Sequence, residues 1–226
     1  MEAAIQDRVD LLVVGGGING VGIARDAAGR GLRVLLAEQG DLGSATSSAS
    51  SKLIHGGLRY LEQYEFRLVG EALAEREVLL KSAPHIVHPM HFVMPHVPAL
   101  RPAWMIRAGL LLYDYLARRQ TLPGSHAIDL RRSPYGTGLK PGLSKGFLYS
   151  DCWVDDARLV VLTARAAADL GATILTRTAC LGAHRDGGMW SATLQAVDGT
   201  PTELTAKAIV NVTGPWVKQF LHETLR

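Results

Sequence analysis

Apolar residues come in two rhythms along this chain. Val9 to Val14 is a short run broken only by Asp10, the pattern of a strand buried in a parallel sheet. A 3.6-residue rhythm follows at once and predicts a helix from Ile18 to Gly29. Val21, Ala24, Ala27 and Ala28 lie on its inner face, and Gly31 serves as its stop. Arg33 to Glu38 reads as a second strand. Glu65 to Ser82 predicts another helix, with a broken stripe through Leu68, Ala72, Glu75, Leu79 and Leu80. Glu71, Glu75, Arg76 and Glu77 are expected in solvent, and Pro84 ends the helix. Pro89, Pro95, Pro98 and Pro102 favour extended or turning chain, and Trp104 to Arg119 is the next helix. Tyr135 to Tyr149 reads as loop or strand. Asp155 can cap a helix from Ala157 to Leu170, stopped by Gly171, and Ala172 to Thr176 reads as a strand. Met189 to Val197 and Thr202 to Val210 suit a hairpin across Asp198-Gly199, and the last strand ends at Thr213 and Gly214.

The junction of the first strand and helix carries the first chemical signal. Gly15, Gly17 and Gly20 permit a tight turn, approach of the backbone to a pyrophosphate, and close packing of helix on strand. A pyrophosphate there meets free N–H groups and the positive end of the helix dipole. Glu38 ends the second strand, where a carboxylate accepts hydrogen bonds from an adenosine ribose. Its charge disfavours a 2′-phosphate and hence NADP. The unit predicts dinucleotide binding. A glycine-rich turn in an unrelated α/β protein is the alternative.

Composition adds limits. The chain is 226 residues long and 47% hydrophobic, enough for a sizeable core in one large domain or two small ones. No apolar run reaches the roughly 18 residues of a membrane span, and Glu2, Asp7 and Asp10 do not fit a signal peptide. Cys152 and Cys180 are too few for a disulfide framework, so a reducing, cytoplasmic setting is the default expectation. His85, His88, His91 and His96 are interrupted by prolines and have no thiol nearby, so no metal site is expected. Asp151, Asp155 and Asp156 are expected to cap helices and make ordinary hydrogen bonds.

Gly43-Ser-Ala-Thr-Ser-Ser-Ala-Ser-Ser51 is nine small residues in a row. It can be a flexible linker, but hydroxyls and bare amides also suit a loop along a pyrophosphate and a flat ring. It runs into Lys52-Leu-Ile-His-Gly-Gly-Leu-Arg-Tyr60. This stretch, with Ala72 to Glu77, Arg101 to Arg107, Ser150 to Arg158 and Asn211 to Val217, resembles the aerobic glycerol-3-phosphate dehydrogenases. The resemblance runs in order from Asp10 to Arg226. It implies an α/β fold: a Rossmann-like FAD-binding domain of the D-amino acid oxidase and glutathione reductase type, with part of a substrate-cap region. The expected segments are Met1 to Pro84 and Ser150 to Arg226 for FAD, and His85 to Tyr149 for the cap. Members of that family are roughly twice as long, so the chain reads as an N-terminal portion.

The resemblance implies oxidation of sn-glycerol 3-phosphate to dihydroxyacetone phosphate by hydride transfer to FAD. Electrons then pass to a membrane quinone. The protein would lie on the cytoplasmic face of the inner membrane, with no nucleic-acid partner. The expected cofactor contacts are Gly15, Gly17, Asn19, Gly20, Glu38, Thr46, Ser47, Ser48, Ser50, Lys52, Leu53, His55, Gly56, Gly57, Thr213 and Gly214. The expected catalytic residues are His55, Arg59 and Tyr60. His55 can take the C2 hydroxyl proton or bond to flavin or backbone. Arg59 offers a planar fork to a phosphate, or pairs with a surface carboxylate. Tyr60 offers a hydroxyl to substrate, or packs in the core. Rival readings are an FAD-dependent amine or amino acid oxidase, a non-catalytic FAD-binding fragment, and an NAD-dependent dehydrogenase. Oligomeric state is left open.

Arg101 to Arg132 holds six arginines and two aspartates, a net charge of six minus two, or +4, against +3 for the whole chain. Trp104 to Leu116 between them is apolar, aromatic and too short to cross a bilayer. It fits an interfacial helix on anionic lipid, or a core helix with solvated ends.

Overall fold

A computed structural model describes residues 7–97, 99, 101–117 and 120–225. In chain order the elements are β1 (Arg8–Val14), α1 (Ile18–Gly29), β2 (Val34–Ala37), β3 (Leu53–Ile54), α2 (Phe66–Ser82), β4 (Val87–Pro95), α3 (Ala103–Tyr115) and β5 (His126–Asp129). They continue with β6 (Lys145–Val154), α4 (Asp156–Asp169), β7 (Thr173–Leu175), β8 (Thr178–Asp186), β9 (Met189–Ala196), β10 (Pro201–Asn211) and α5 (Val217–Glu223). They form two compact units. One runs up to Ser50 and resumes at Asp156, and the other is Ser51–Asp155.

The first unit is built on a six-stranded sheet ordered β7-β2-β1-β10-β9-β8. The pairs β7–β2, β2–β1 and β1–β10 are parallel, and β9 is antiparallel to both its neighbours. Strand alternation sorts the apolar runs into two cores. Val13, Val34 and Leu36 face α1 and α4, where Ala24, Ala27, Ala28, Ala164 and Ala167 let two helices lie close together. Val14, Leu35 and Ala37 face the other way, toward Ala183, Leu194, Leu204 and Phe220. Both faces being covered explains why β1 and β2 read as continuous apolar runs. Leu12, Leu35 and Leu36 are fully buried, each worth about 1.5–3 kcal/mol relative to exposure.

In the second unit β6 is the centre. β4 pairs along its whole length, antiparallel, while β3 and β5 pair with its two ends. Helices α2 and α3 meet in a small core of Val69, Leu73 and Tyr113.

Several expectations change. The inner face of α2 is Val69, Leu73, Arg76, Glu77 and Leu80, while Leu68 is exposed. Arg76 and Glu77 are therefore buried, because β6 brings Asp151 to Arg76 and the chain after α3 brings the Thr121 amide to Glu77. β6 runs on to Val154, past the expected end at Tyr149. β8 is a strand that the apolar pattern does not announce. The compact units part at Ser50 and Asp156, not at Pro84 and Ser150, because β3 and β6 pair within the second unit. The α3 helix ends at Tyr115, and Arg118 and Arg119 lie outside the described residues.

Candidate functional site

At the carboxyl ends of β1, β2 and β10 lies a cavity of about 770 Å³. This is where open α/β sheets bind ligands, and the size suits an organic cofactor. Gly15, Gly17, Asn19, Glu38, Thr46, Ser47, Thr213 and Gly214 all line it. Gly16, Ser44, Thr178, Cys180 and Trp216 line it as well and were not anticipated. Burial pushes the Cys180 thiol up to about 11, so at neutral pH it is an uncharged wall and not a nucleophile.

Gly20 lies beneath the cavity and sets its shape. A Cβ on Gly20 would stand 1.9 Å from the Gly15 carbonyl oxygen, so only glycine lets α1 start this close to β1. The first intrahelical bond is from the Val21 N–H to the Gly17 carbonyl. The preceding amides of Ile18, Asn19 and Gly20 have no acceptor within the helix. The Ile18 N–H donates to the Ser47 hydroxyl at 3.0 Å. No acidic side chain occupies the first turn of α1.

Glu38 closes the far side. Its Oε2 accepts the Gly16 N–H at 2.6 Å and its Oε1 accepts the Gly40 N–H at 2.7 Å. Each oxygen keeps a lone pair for a further donor. The small-residue loop is tied down. Thr46–Ser48 form a 3₁₀ turn, Gly43 donates to the Gly16 carbonyl, and the Ser50 hydroxyl donates to Asp156 at 2.7 Å. Those ties argue against a flexible linker. Ser48 and Ser50 do not line the cavity, and Ser50 is engaged with the start of α4.

Lys52, Leu53, His55, Gly56, Gly57, Arg59 and Tyr60 belong to the second unit. Leu53 sits in β3, and the Lys52 carbonyl accepts the Val154 N–H. His55, Arg59 and Tyr60 are exposed on one loop that enters a 3₁₀ turn, Leu58–Gln63. Among the described residues, none of these three side chains has a hydrogen bond or ion pair. Beneath the loop, Gly56 is buried and its N–H donates to the Tyr113 hydroxyl.

Three of the four histidines of the proline-rich stretch have separate neighbours among the described residues. His88 stacks on Trp153, His91 meets Tyr135, and His96 contacts the Arg101 carbonyl. Asp156 accepts from Ser50 and the Ala157 amide, and Asp151 is buried beside Arg76.

Residues 10–226 match the family model described as FAD dependent oxidoreductase. Over 218 residues the chain is 62% identical to a glycerol-3-phosphate dehydrogenase of Pseudomonas tolaasii, covering 96% of this chain and 42% of that protein. Over 214 residues it is 60% identical to a D-erythritol 1-phosphate dehydrogenase of Brucella abortus, covering 94% of this chain and 43% of that protein. It superposes on a glycerol-3-phosphate dehydrogenase from Bacillus halodurans complexed with FAD with a TM-score of 0.72 and 27% identity. That match covers 96% of this chain and 36% of the solved one. The chain thus spans less than half the length of these relatives.

Proposed function

The chain belongs to the FAD-dependent oxidoreductase family, and we propose that it is the FAD-binding portion of a dehydrogenase for a phosphorylated polyol, sn-glycerol 3-phosphate first. The observation that carries this reading is the loop of His55, Arg59 and Tyr60, exposed and with no side-chain hydrogen bond or ion pair among the described residues.

The cavity of the first unit suits the adenosine diphosphate part of FAD. The amides at the start of α1, with Ser47, are donors for the pyrophosphate, and the spare lone pairs of Glu38 accept ribose hydroxyls. Thr46, Thr213 and Gly214 supply further contacts. Bound FAD supplies the hydride acceptor for oxidation of a secondary alcohol to a ketone. His55 holds the proton that leaves the alcohol, Arg59 binds the phosphate through two parallel N–H donors, and the Tyr60 hydroxyl orients the substrate. Names of relatives support both glycerol 3-phosphate and D-erythritol 1-phosphate as substrates. These share a phosphate on a polyol, the feature Arg59 would read.

Arg59→Lys in the longer protein tests this. The KM for glycerol 3-phosphate should rise roughly tenfold or more, a loss of about 1.5–3 kcal/mol, because lysine lacks the bidentate fork. Flavin content should stay normal. An unchanged KM with lost flavin makes Arg59 a cofactor or structural residue.

A membrane-surface contact on α3 completes the proposal, with electrons leaving for a quinone. No helix among the described residues is long and apolar enough to span a bilayer. On α3, however, Trp104 is 68% and Tyr115 76% exposed, and Met105, Leu111 and Leu112 are also exposed. The helical period puts all five on one face, opposite buried Leu110 and Tyr113. Part of the basic charge of this stretch is neutralised, since Arg101 pairs with Glu62 and Arg131 with Asp129. Changing Trp104, Leu111 and Tyr115 together to serine should weaken co-sedimentation with anionic vesicles at least tenfold, about 1.4 kcal/mol. Unchanged binding removes α3 from the membrane contact.

A further inference from the structure

Beneath the His55–Tyr60 loop lies a buried polar cluster to which the proposed chemistry gives no task. Arg76 of α2 and Asp151 of β6 are each 3% exposed. An Arg76 Nη1 proton goes to Asp151 Oδ1 at 2.5 Å, and the same nitrogen lies 3.1 Å from the Ser150 carbonyl oxygen. From α3, the Tyr113 hydroxyl reaches both oxygens of Asp151, at 2.9 and 3.0 Å. The same hydroxyl oxygen accepts the Gly56 N–H at 2.8 Å.

The direction of these bonds is fixed. An ionised carboxylate only accepts, so the single phenol proton points at Asp151 and the phenol lone pairs are left for Gly56. Burial, with the Asp151 charge beside it, pushes the Tyr113 phenol well above its ordinary range, which keeps that proton in place. Packing leaves Gly56 little room. A Cβ there would lie 2.6 Å from the Leu73 side chain and 2.9 Å from the Tyr113 ring. Gly57, next along, has φ +70° and carries the Tyr60 ring against it. Gly56 is thus clamped between a helix side chain and a tyrosine one residue after His55 and three before Arg59.

We propose that Tyr113, held by the Arg76–Asp151 pair, is a positioning residue for the substrate loop: its hydroxyl anchors the Gly56 amide and so fixes where His55 and Arg59 are presented. The proposal rests on the reading of that loop as substrate-binding.

Tyr113→Phe in the full-length flavoprotein keeps the ring and removes the anchor. Amide exchange in the peptide covering residues 53–60 should speed up at least tenfold, while peptides of β1 and α1 stay as they were. Flavin content should hold, and the KM for glycerol 3-phosphate should rise by about tenfold to a hundredfold. A folded variant with unchanged exchange at 53–60 overturns the proposal, as does faster exchange spread evenly over the protein. Faster loop exchange with unchanged KM and kcat supports the anchor and instead contradicts the substrate reading of the loop. The wild type gives a check that does not depend on the variant folding. Its Gly56 amide should exchange at least a hundredfold more slowly than an unstructured amide, and an unprotected Gly56 overturns the proposal.

Discussion

Gly20→Ala should abolish flavin retention and destabilise the first unit by roughly 3 kcal/mol or more. The added Cβ would meet the Gly15 carbonyl oxygen at 1.9 Å, and the Val212 side chain lies 3.3 Å away. The clash is with backbone, so no side-chain rotation relieves it. Either the turn after β1 opens or α1 moves off the sheet. Moving α1 unpacks Val21, Ala24, Ala27 and Ala28 from Val13, Val34 and Leu36. It also displaces the Ile18 and Asn19 amides from the cavity wall. Urea unfolding and an FAD titration on the longer protein check the prediction. Wild-type affinity and midpoint would mean that the turn tolerates a side chain, against the geometry.

Arg76→Met should cost about 3–5 kcal/mol, the usual loss when one member of a buried ion pair is removed and the other stays. Among the described residues, Asp151 would then keep only the Tyr113 hydroxyl as a side-chain hydrogen-bond donor. Burial already raises the Asp151 carboxyl above its ordinary range against the opposing pull of Arg76 and Tyr113, so losing Arg76 raises it further. The sign follows from linkage. A carboxyl whose folded pKa lies above its unfolded one favours the fold at low pH, and that contribution is lost as pH rises through the folded value. The variant should therefore be least impaired near pH 4 and worsen toward neutrality. Adding Asp151→Leu should recover part of the loss, because Asp151 is then no longer a buried charge without its partner, while Glu77, 3.9 Å from an Arg76 nitrogen, keeps the rest of the deficit. A deficit independent of pH would mean that Arg76 acts through packing alone.

What could be read beforehand was what the chain encodes locally. Gly15, Gly17, Gly20 and Glu38 announce their geometry within one βαβ unit, and the cavity gathers Gly15, Gly17 and Glu38 around its mouth with Gly20 as their support. Asp198-Gly199 likewise marked the hairpin that pairs β9 with β10. Arg76 and Glu77 were misread because charges on a helix ordinarily face water. The partner that draws Arg76 inward is Asp151, 75 positions away on another element. One signal was available: Asp151 interrupts a strand buried on either side of it, and a buried carboxylate requires a buried donor. Tyr113 lay in an apolar run and looked like core, which it is, but its hydroxyl also anchors a loop. The break between units at Ser50 is not legible in the sequence because β3 is only two residues long.

The proposed role of this sequence is the flavin site of a polyol-phosphate dehydrogenase. Anaerobic reduction of the purified full-length protein tests it most directly. The released cofactor should be FAD, and sn-glycerol 3-phosphate should bleach the bound flavin absorbance while glycine and D-amino acids leave it intact. Bleaching by an amino acid and not by the polyol phosphate, or purification with no flavin and no affinity for it, would contradict the account.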